Sequence, residues 1–172
     1  LAIALDTLAM AVCELASMSE RRIEQMLNSS LSRGLSPFLA THPGIDSGFM
    51  IQQLTAAALV SENKVLAHPA CVDSIPTSAN QEDHVSMGSI SAIKLCQIVQ
   101  NVASVLGIEL LIGCSALDQR QICSSPVLEK VKASLRENVA PLDGDRIMYP
   151  DVNKAIELVR SKRLDEICSE IN

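Results

Sequence analysis

The sequence predicts an all-α protein, a bundle of long helices formed by one region spanning residues 1–172. Three observations carry this. Apolar residues recur at intervals of three and four over long stretches. Period-two alternation rich in Val, Ile, Thr and aromatic residues is scarce. Cap and breaker residues fall between the apolar stretches, where helix ends belong.

The first helix is expected from Leu1 to about Leu27. From Leu1 to Met18 it is apolar nearly all round, with Asp6 and Glu14 the only charges, which predicts burial on most sides. Polar character rises through Ser19, Glu20, Arg21 and Arg22, so this end is expected to emerge into solvent. A gap from Ser32 to Ile45 follows, with Gly34, Pro37, Pro43 and Gly44. The next helix starts after Asp46 or Ser47, either of which can cap it, and covers Phe49 to about Asn63. Met50, Leu54, Ala57 and Ala58 stand at helical spacing in it.

A second gap, Ala67 to Val85, holds Pro69 and Pro76. Long structureless loops are uncommon in compact domains and are usually functional or disordered. Phe38 and Leu39 in one gap, and Val72 and Ile75 in the other, argue against disorder and need something to pack against. The third helix begins near Ser86, carries Ile90, Ile93, Val99, Val102 and Leu106, and continues past Gly107 to about Leu117. Ser125-Pro126 reads as a cap followed by Pro at the first helical position, opening a fourth helix through about Val139. Pro141 and Gly144 break it. Asp151 is expected to cap the last helix, which runs to about Ile171 with a break near Ser161.

Composition removes several function classes. Apolar content of 48% excludes disorder, and a net charge of −6 argues against broad binding of nucleic-acid backbone. One Tyr, two Phe and no Trp leave no platform for stacking single-stranded bases. The unbroken apolar runs, Leu1–Leu5 and Val102–Gly113, fall short of the ~20 residues of a membrane span, so no membrane role is expected. No leader pattern opens the chain, which predicts a cytoplasmic protein, and the initial Leu suggests a start inside a longer product. The six cysteines form no C-x-x-C pair and read as reduced, mostly buried thiols. His42 and His68 each precede Pro and serve loop geometry; no metal-ligand spacing accompanies them. Gly44 to Gly48 superficially suggests a nucleophile elbow, but its central residue is Asp46 and no strand precedes it, so a loop closing onto a helix is expected. Asn28-Ser29-Ser30, a glycosylation sequon, reads as a helix end.

The densest polar cluster is Thr77 to His84. Its plain reading is a solvated helix start, with Ser78 and Gln81 as a capping box and Asp83 or Ser86 capping the next helix. Its functional reading is a carboxylate held at the mouth of a helix bundle.

Several separated segments carry a resemblance. Ser47-Gly48-Phe49-Met50, Ala57 to Lys64, His68-Pro69 and Pro76 to Met87 together resemble the histidine ammonia-lyases, within the aromatic amino acid ammonia-lyase family. Leu15 to Arg22 resembles that family's long core helix, and Val139 to Asp143 with Asp145-Arg146 resembles its tail. The likeness covers essentially the whole chain and only the C-terminal portion of the family's enzymes. It implies a long-helix bundle in a homo-oligomer, a tetramer in the family, with active sites built from three subunits. It implies elimination of ammonia from L-histidine to give trans-urocanate, with a methylidene-imidazolone electrophile made from Ala-Ser-Gly and a Tyr base. No Ala-Ser-Gly occurs here, and Tyr149, the only Tyr, matches no family position. This chain alone is therefore expected to be inactive.

The resemblance places Glu82 opposite the substrate imidazole as candidate catalytic and substrate-binding residue, with Met50 and Ser78 lining the pocket. Asp83 and His84 would brace the loop. A carboxylate suits an imidazole N–H and would be costly beside a phenyl ring. The alternatives are an aminomutase or another amino acid ammonia-lyase on the same scaffold, or a non-catalytic helical assembly module.

Overall fold

Residues alternately four and three apart along the first helix decide how this chain packs. The computed structural model describes residues 1–169. Among them are six helices: α1 (Ala2–Leu27), α2 (Met50–Leu66), α3 (Gly88–Arg120), α4 (Pro126–Arg136), α5 (Tyr149–Arg160) and α6 (Arg163–Ser169). In α1, Ala2, Ala9, Ala16 and Ile23 repeat every seventh residue, interleaved with Asp6, Cys13, Glu20 and Leu27. All are buried except Cys13, which is half-buried. Such a 3.5-residue seam keeps one face of a long helix turned toward a partner. The partner is α3, where Ser91, Ile98, Val105 and Ile112 repeat with the same period and are fully buried. At 33 residues α3 is about 50 Å long at 1.5 Å per residue. It forms the centre of the fold, with α1, α2 and α5 all packed on it.

Helix α2 turns Gln52, Ala56, Val60 and Asn63 inward. An amide relay, buried at its Asn101–Asn63 step, joins it to α3: Gln97 donates to Asn101 Oδ1 at 3.1 Å, and Asn101 Nδ2 donates to Asn63 Oδ1 at 2.9 Å and to Glu62 Oε2 at 2.7 Å. The Cys13 thiol donates to the Asn63 carbonyl from α1. The tail folds back along α3. Asp118 pairs with Lys132 at 2.7 Å and Arg136 at 2.6 Å, and Arg146 pairs with Asp151 while donating to the Ala140 and Pro141 carbonyls. At the crossing of α3 and α5, a Cβ on Gly107 would stand 2.9 Å from both N and Cα of Ile156. Only glycine allows the backbones this close.

Several expectations are corrected. Helix α1 is not buried on most sides: Leu1, Ile3, Leu8, Met10, Leu15 and Met18 are exposed, because the helix packs along one side, around the seam. Ser19 and Glu20, expected at the surface, are buried because they lie along the packed face. In α2 the expected face of Met50, Leu54, Ala57 and Ala58 points outward, as do Ile90, Ile93 and Val99 of α3. These helices are apolar on more than one face, so spacing alone does not identify the packed one. The 32–45 loop does pack, with Leu35 and Leu39 buried and Phe38 against the core, whereas Val72 and Ile75 are exposed.

Of the expected caps, Ser125 accepts from Leu128 N–H. Helices α2, α3 and α5 instead begin at Phe49, Met87 and Met148 without side-chain caps, and Asp151 lies inside α5. The chain breaks at Ser161 as expected; an end at Ile171 lies outside the described residues. Only Cys114 is buried among the six cysteines. Helices α1 and α3 are each long and apolar enough to cross a bilayer by length and composition, which counting unbroken runs missed; α3 is nonetheless the central packed helix of this fold.

Gly107→Ala is expected to cost about 1–3 kcal/mol through overpacking at the α3–α5 crossing, read as a lower denaturant midpoint. An unchanged midpoint contradicts the close approach.

Candidate functional site

The segment between α2 and α3 closes on itself. Thr77 N–H donates to the Glu82 carbonyl at 3.0 Å and Glu82 N–H returns to the Thr77 carbonyl at 3.4 Å. Ser74 Oγ accepts from Val85 N–H at 2.9 Å and donates to the Val85 carbonyl at 3.3 Å. At the tip a single helical turn spans Ser78–Asn80, where Ser78, Ala79 and Asn80 have φ of 52°, 52° and 67°. Three successive left-handed non-glycine residues are strained, and such strain persists only where the surroundings impose it. The turn brings Glu82 back beside Thr77, whose hydroxyl lies 3.4 Å from Glu82 Oε2. This is neither a capping box nor a helix start. Asp83 and His84, expected as braces, are exposed and make no side-chain hydrogen bond among the described residues; Ser74 braces the loop instead.

The loop is rooted at both ends. Cys71 N–H donates to Asp6 Oδ2 of α1 at 2.8 Å, and Lys94 of α3 donates to the His68 carbonyl. Asp6 is 2% exposed. Burial alone would raise its pKa, but hydrogen bonds from the Cys71 amide and thiol, the Ser91 hydroxyl and the Ala70 amide hold it below the ordinary carboxylate value. The same pairing, with burial, pushes the Cys71 thiol up, which disfavours the thiolate.

Met50 opens α2, just after the turn at Gly48. Gly48 has φ +56°, and a Cβ there would stand 3.0 Å from Ala40 Cα and closer still to the Phe38 carbonyl, so the turn requires glycine. Asp145, from the tail, accepts from Ser47 N–H at 2.8 Å and Gly48 N–H at 2.9 Å. These two amide bonds outweigh desolvation and hold its carboxyl below the ordinary value. The expected cap Asp46 instead accepts from the His42 amide and ring within its own loop.

The structure brings Ser78 and Glu82 together in one loop and leaves both exposed. Met50 lies apart on α2, 36% exposed. No hydrogen bond joins Met50 to that loop among the described residues. A cleft of about 510 Å³ opens beside the first turn of α2, lined by Ser47, Gly48, Gln52, Asp145 and Tyr149 among others. Met50, Ser78 and Glu82 line neither this cleft nor four further ones of about 280–490 Å³. Among the described residues no three His, Cys, Asp or Glu side chains cluster as metal ligands.

Sequence reasoning passed over Asp6, Ser74, Lys94 and Asp145 as site-forming residues. Asp6 carried a signal, a lone acid at a seam position of an otherwise apolar stretch. Asp145 carried none, since its partners are nearly a hundred residues away.

The model of aromatic amino acid lyases matches residues 1–137. The chain belongs to the aromatic amino acid lyase family. Histidine ammonia-lyase of Sorangium cellulosum is 55% identical over 164 residues, 95% of this chain and 32% of that protein. The solved histidine ammonia-lyase of Trypanosoma cruzi superposes with a TM-score of 0.94 at 47% identity, over 98% of this chain and 33% of that one. A tyrosine aminomutase from Streptomyces globisporus superposes at 0.93 with 33% identity, over 98% of this chain and 32% of that one. The chain thus spans about a third of the length of the relatives it matches, and its all-helical architecture is that of this family region.

Asp145 predicts an acid dependence. Its folded pKa lies below an unfolded value of about 3.9, so its contribution is complete above that pH and is lost as pH falls through the lower, folded value. Asp145→Asn is expected to remove this component from an acid-unfolding curve followed by circular dichroism. A variant with the wild-type acid profile contradicts the anchoring.

Proposed function

We propose that this chain is the C-terminal, imidazole-facing part of a cytoplasmic histidine ammonia-lyase, which eliminates ammonia from L-histidine to give trans-urocanate. The observation that carries the reading is a carboxylate, Glu82, presented on a strained, self-closed loop of a chain about half identical to enzymes named histidine ammonia-lyase. Glu82 would accept the imidazole N–H and favour its protonated form, which distinguishes histidine from a phenyl-bearing substrate. Ser78 would contribute at the same loop, and Met50 would line the ring pocket from the start of α2.

Elimination also needs an electrophile at the amino group and a base for the β-hydrogen. The family's methylidene-imidazolone would supply the electrophile. None of the 172 residues form the Ala-Ser-Gly that gives rise to it, so these residues do not fit that role and would act on the substrate ring alone. The exposed apolar residues of α1, α2 and α3 support completion of the site by further polypeptide in a homo-oligomer, as does the exposure of Glu82 itself.

Aminomutases share this scaffold, so substrate choice must be measured. The full-length gene product is expected to convert L-histidine, not phenylalanine or tyrosine, with urocanate followed by absorbance. Glu82→Gln is expected to lower kcat/KM for histidine by about ten- to two-hundredfold, for loss of a charge-assisted bond worth roughly 1.5–3 kcal/mol. The 172-residue chain alone is expected to produce no urocanate. Formation of a β-amino acid, or a Glu82→Gln enzyme with wild-type kcat/KM, contradicts the proposal.

A further inference from the structure

We infer that Asp6 is a positioning residue for Glu82, acting from α1 through the root of the 67–87 loop. The inference rests on the reading of Glu82 just given. A charged group at a helix–helix seam is costly unless hydrogen-bonded. Asp6 is the one acid in the N-terminal half of the α1 seam, and it is buried. Its bonds go to the loop rather than to its own helix.

The path from Asp6 to Glu82 is short and continuous. The carboxylate accepts from Cys71 N–H at 2.8 Å, where the loop leaves α2. Where the loop enters α3, the Ser91 hydroxyl donates to the Met87 carbonyl. The Asp6 carboxylate therefore holds the entry of the loop. Three residues beyond Cys71, Ser74 grips Val85 through both its amide and its carbonyl. Three residues before Val85, Glu82 pairs with Thr77 through two backbone bonds. The strained turn at Ser78–Asn80 has no buried residue to hold it. Its support comes from this ladder, and the ladder stands on Asp6, with Lys94 holding the neighbouring His68 carbonyl.

A purely structural role for Asp6 would weaken the whole fold and lower activity whatever residue stood at position 82. A positioning role acts through Glu82 and disappears without it. The test is a double-mutant cycle in the full-length gene product, with amide hydrogen exchange as a second readout. Asp6→Ala is expected to lower kcat/KM for histidine about ten- to a hundredfold, the scale of a displacement near 1 Å at a reacting site. Asp6→Asn, which keeps an acceptor for Cys71 N–H, is expected to recover most of that loss. In a Glu82→Gln background, Asp6→Ala is expected to add less than about twofold. Exchange over residues 70–86 is expected to accelerate in Asp6→Ala while the α1–α3 seam stays protected.

Should Asp6→Ala fail to fold, Ser74→Ala cuts the same ladder on the loop itself and is expected to reproduce the pattern. An equal loss in the Glu82→Gln background overturns the positioning role. Unchanged exchange over residues 70–86 overturns the tether alone. Wild-type kcat/KM in Glu82→Gln overturns the reading of Glu82, and the positioning role with it.

Discussion

The seven-residue seam between α1 and α3 is the constraint on which the rest of this structure depends. On α1 it carries three alanines, Ala2, Ala9 and Ala16, among Asp6, Cys13, Glu20, Ile23 and Leu27, against Ser91, Ile98, Val105 and Ile112 on α3. Small side chains let two long helices lie close, and the close approach leaves little room for error at any seam position. Asp6 occupies one such position. Its burial is tolerated because the Cys71 amide and neighbouring donors satisfy it. Packing therefore dictates where the loop after α2 is rooted, and the root dictates where its carboxylate stands.

A second long-range bond fixes the other sequence segment of interest. Asp145 accepts from the amides of Ser47 and Gly48, 98 and 97 positions away in sequence. These amides belong to the turn just before the Phe49 cap of α2, and the carboxylate pairs both of them. The tail thereby holds the turn that presents Met50. The loop that carries Glu82 and the turn that precedes Met50 are thus each tied to distant parts of the chain by a buried or amide-bound aspartate.

The helices were legible because helical period, Pro and Gly punctuation, and the Ser125-Pro126 cap are local signals. The packed faces were not. In α2 and α3, Met50, Leu54, Ile90 and Ile93 are as apolar as the residues that pack, so spacing could not tell a face covered here from one left open. The α1 seam was present as Ala2, Asp6, Ala9, Cys13, Ala16 and Glu20, but alanine and acids score weakly beside the Leu and Met on the opposite side. At the site, Glu82 and Ser78 were reached through family likeness and not through local chemistry, since a polar run before a helix reads as a cap. The left-handed turn at Ser78–Asn80 has no glycine to announce it. Bonds such as Cys71 to Asp6 join residues 65 positions apart and leave no local trace.

The Glu82 carboxylate is exposed on an otherwise self-satisfied loop, open to a ligand brought to it. The relatives are about three times longer than this chain, and the outer faces of α1, α2 and α3 are rich in exposed apolar residues. Both fit a ring pocket completed by other polypeptide around Glu82. The most direct test is a crystal structure of the full-length gene product with L-histidine or urocanate bound. A Glu82 carboxylate oxygen is expected within about 2.6–3.2 Å of an imidazole nitrogen, hydrogen-bond distance. A bound imidazole held by other residues, with Glu82 turned to solvent, would contradict it.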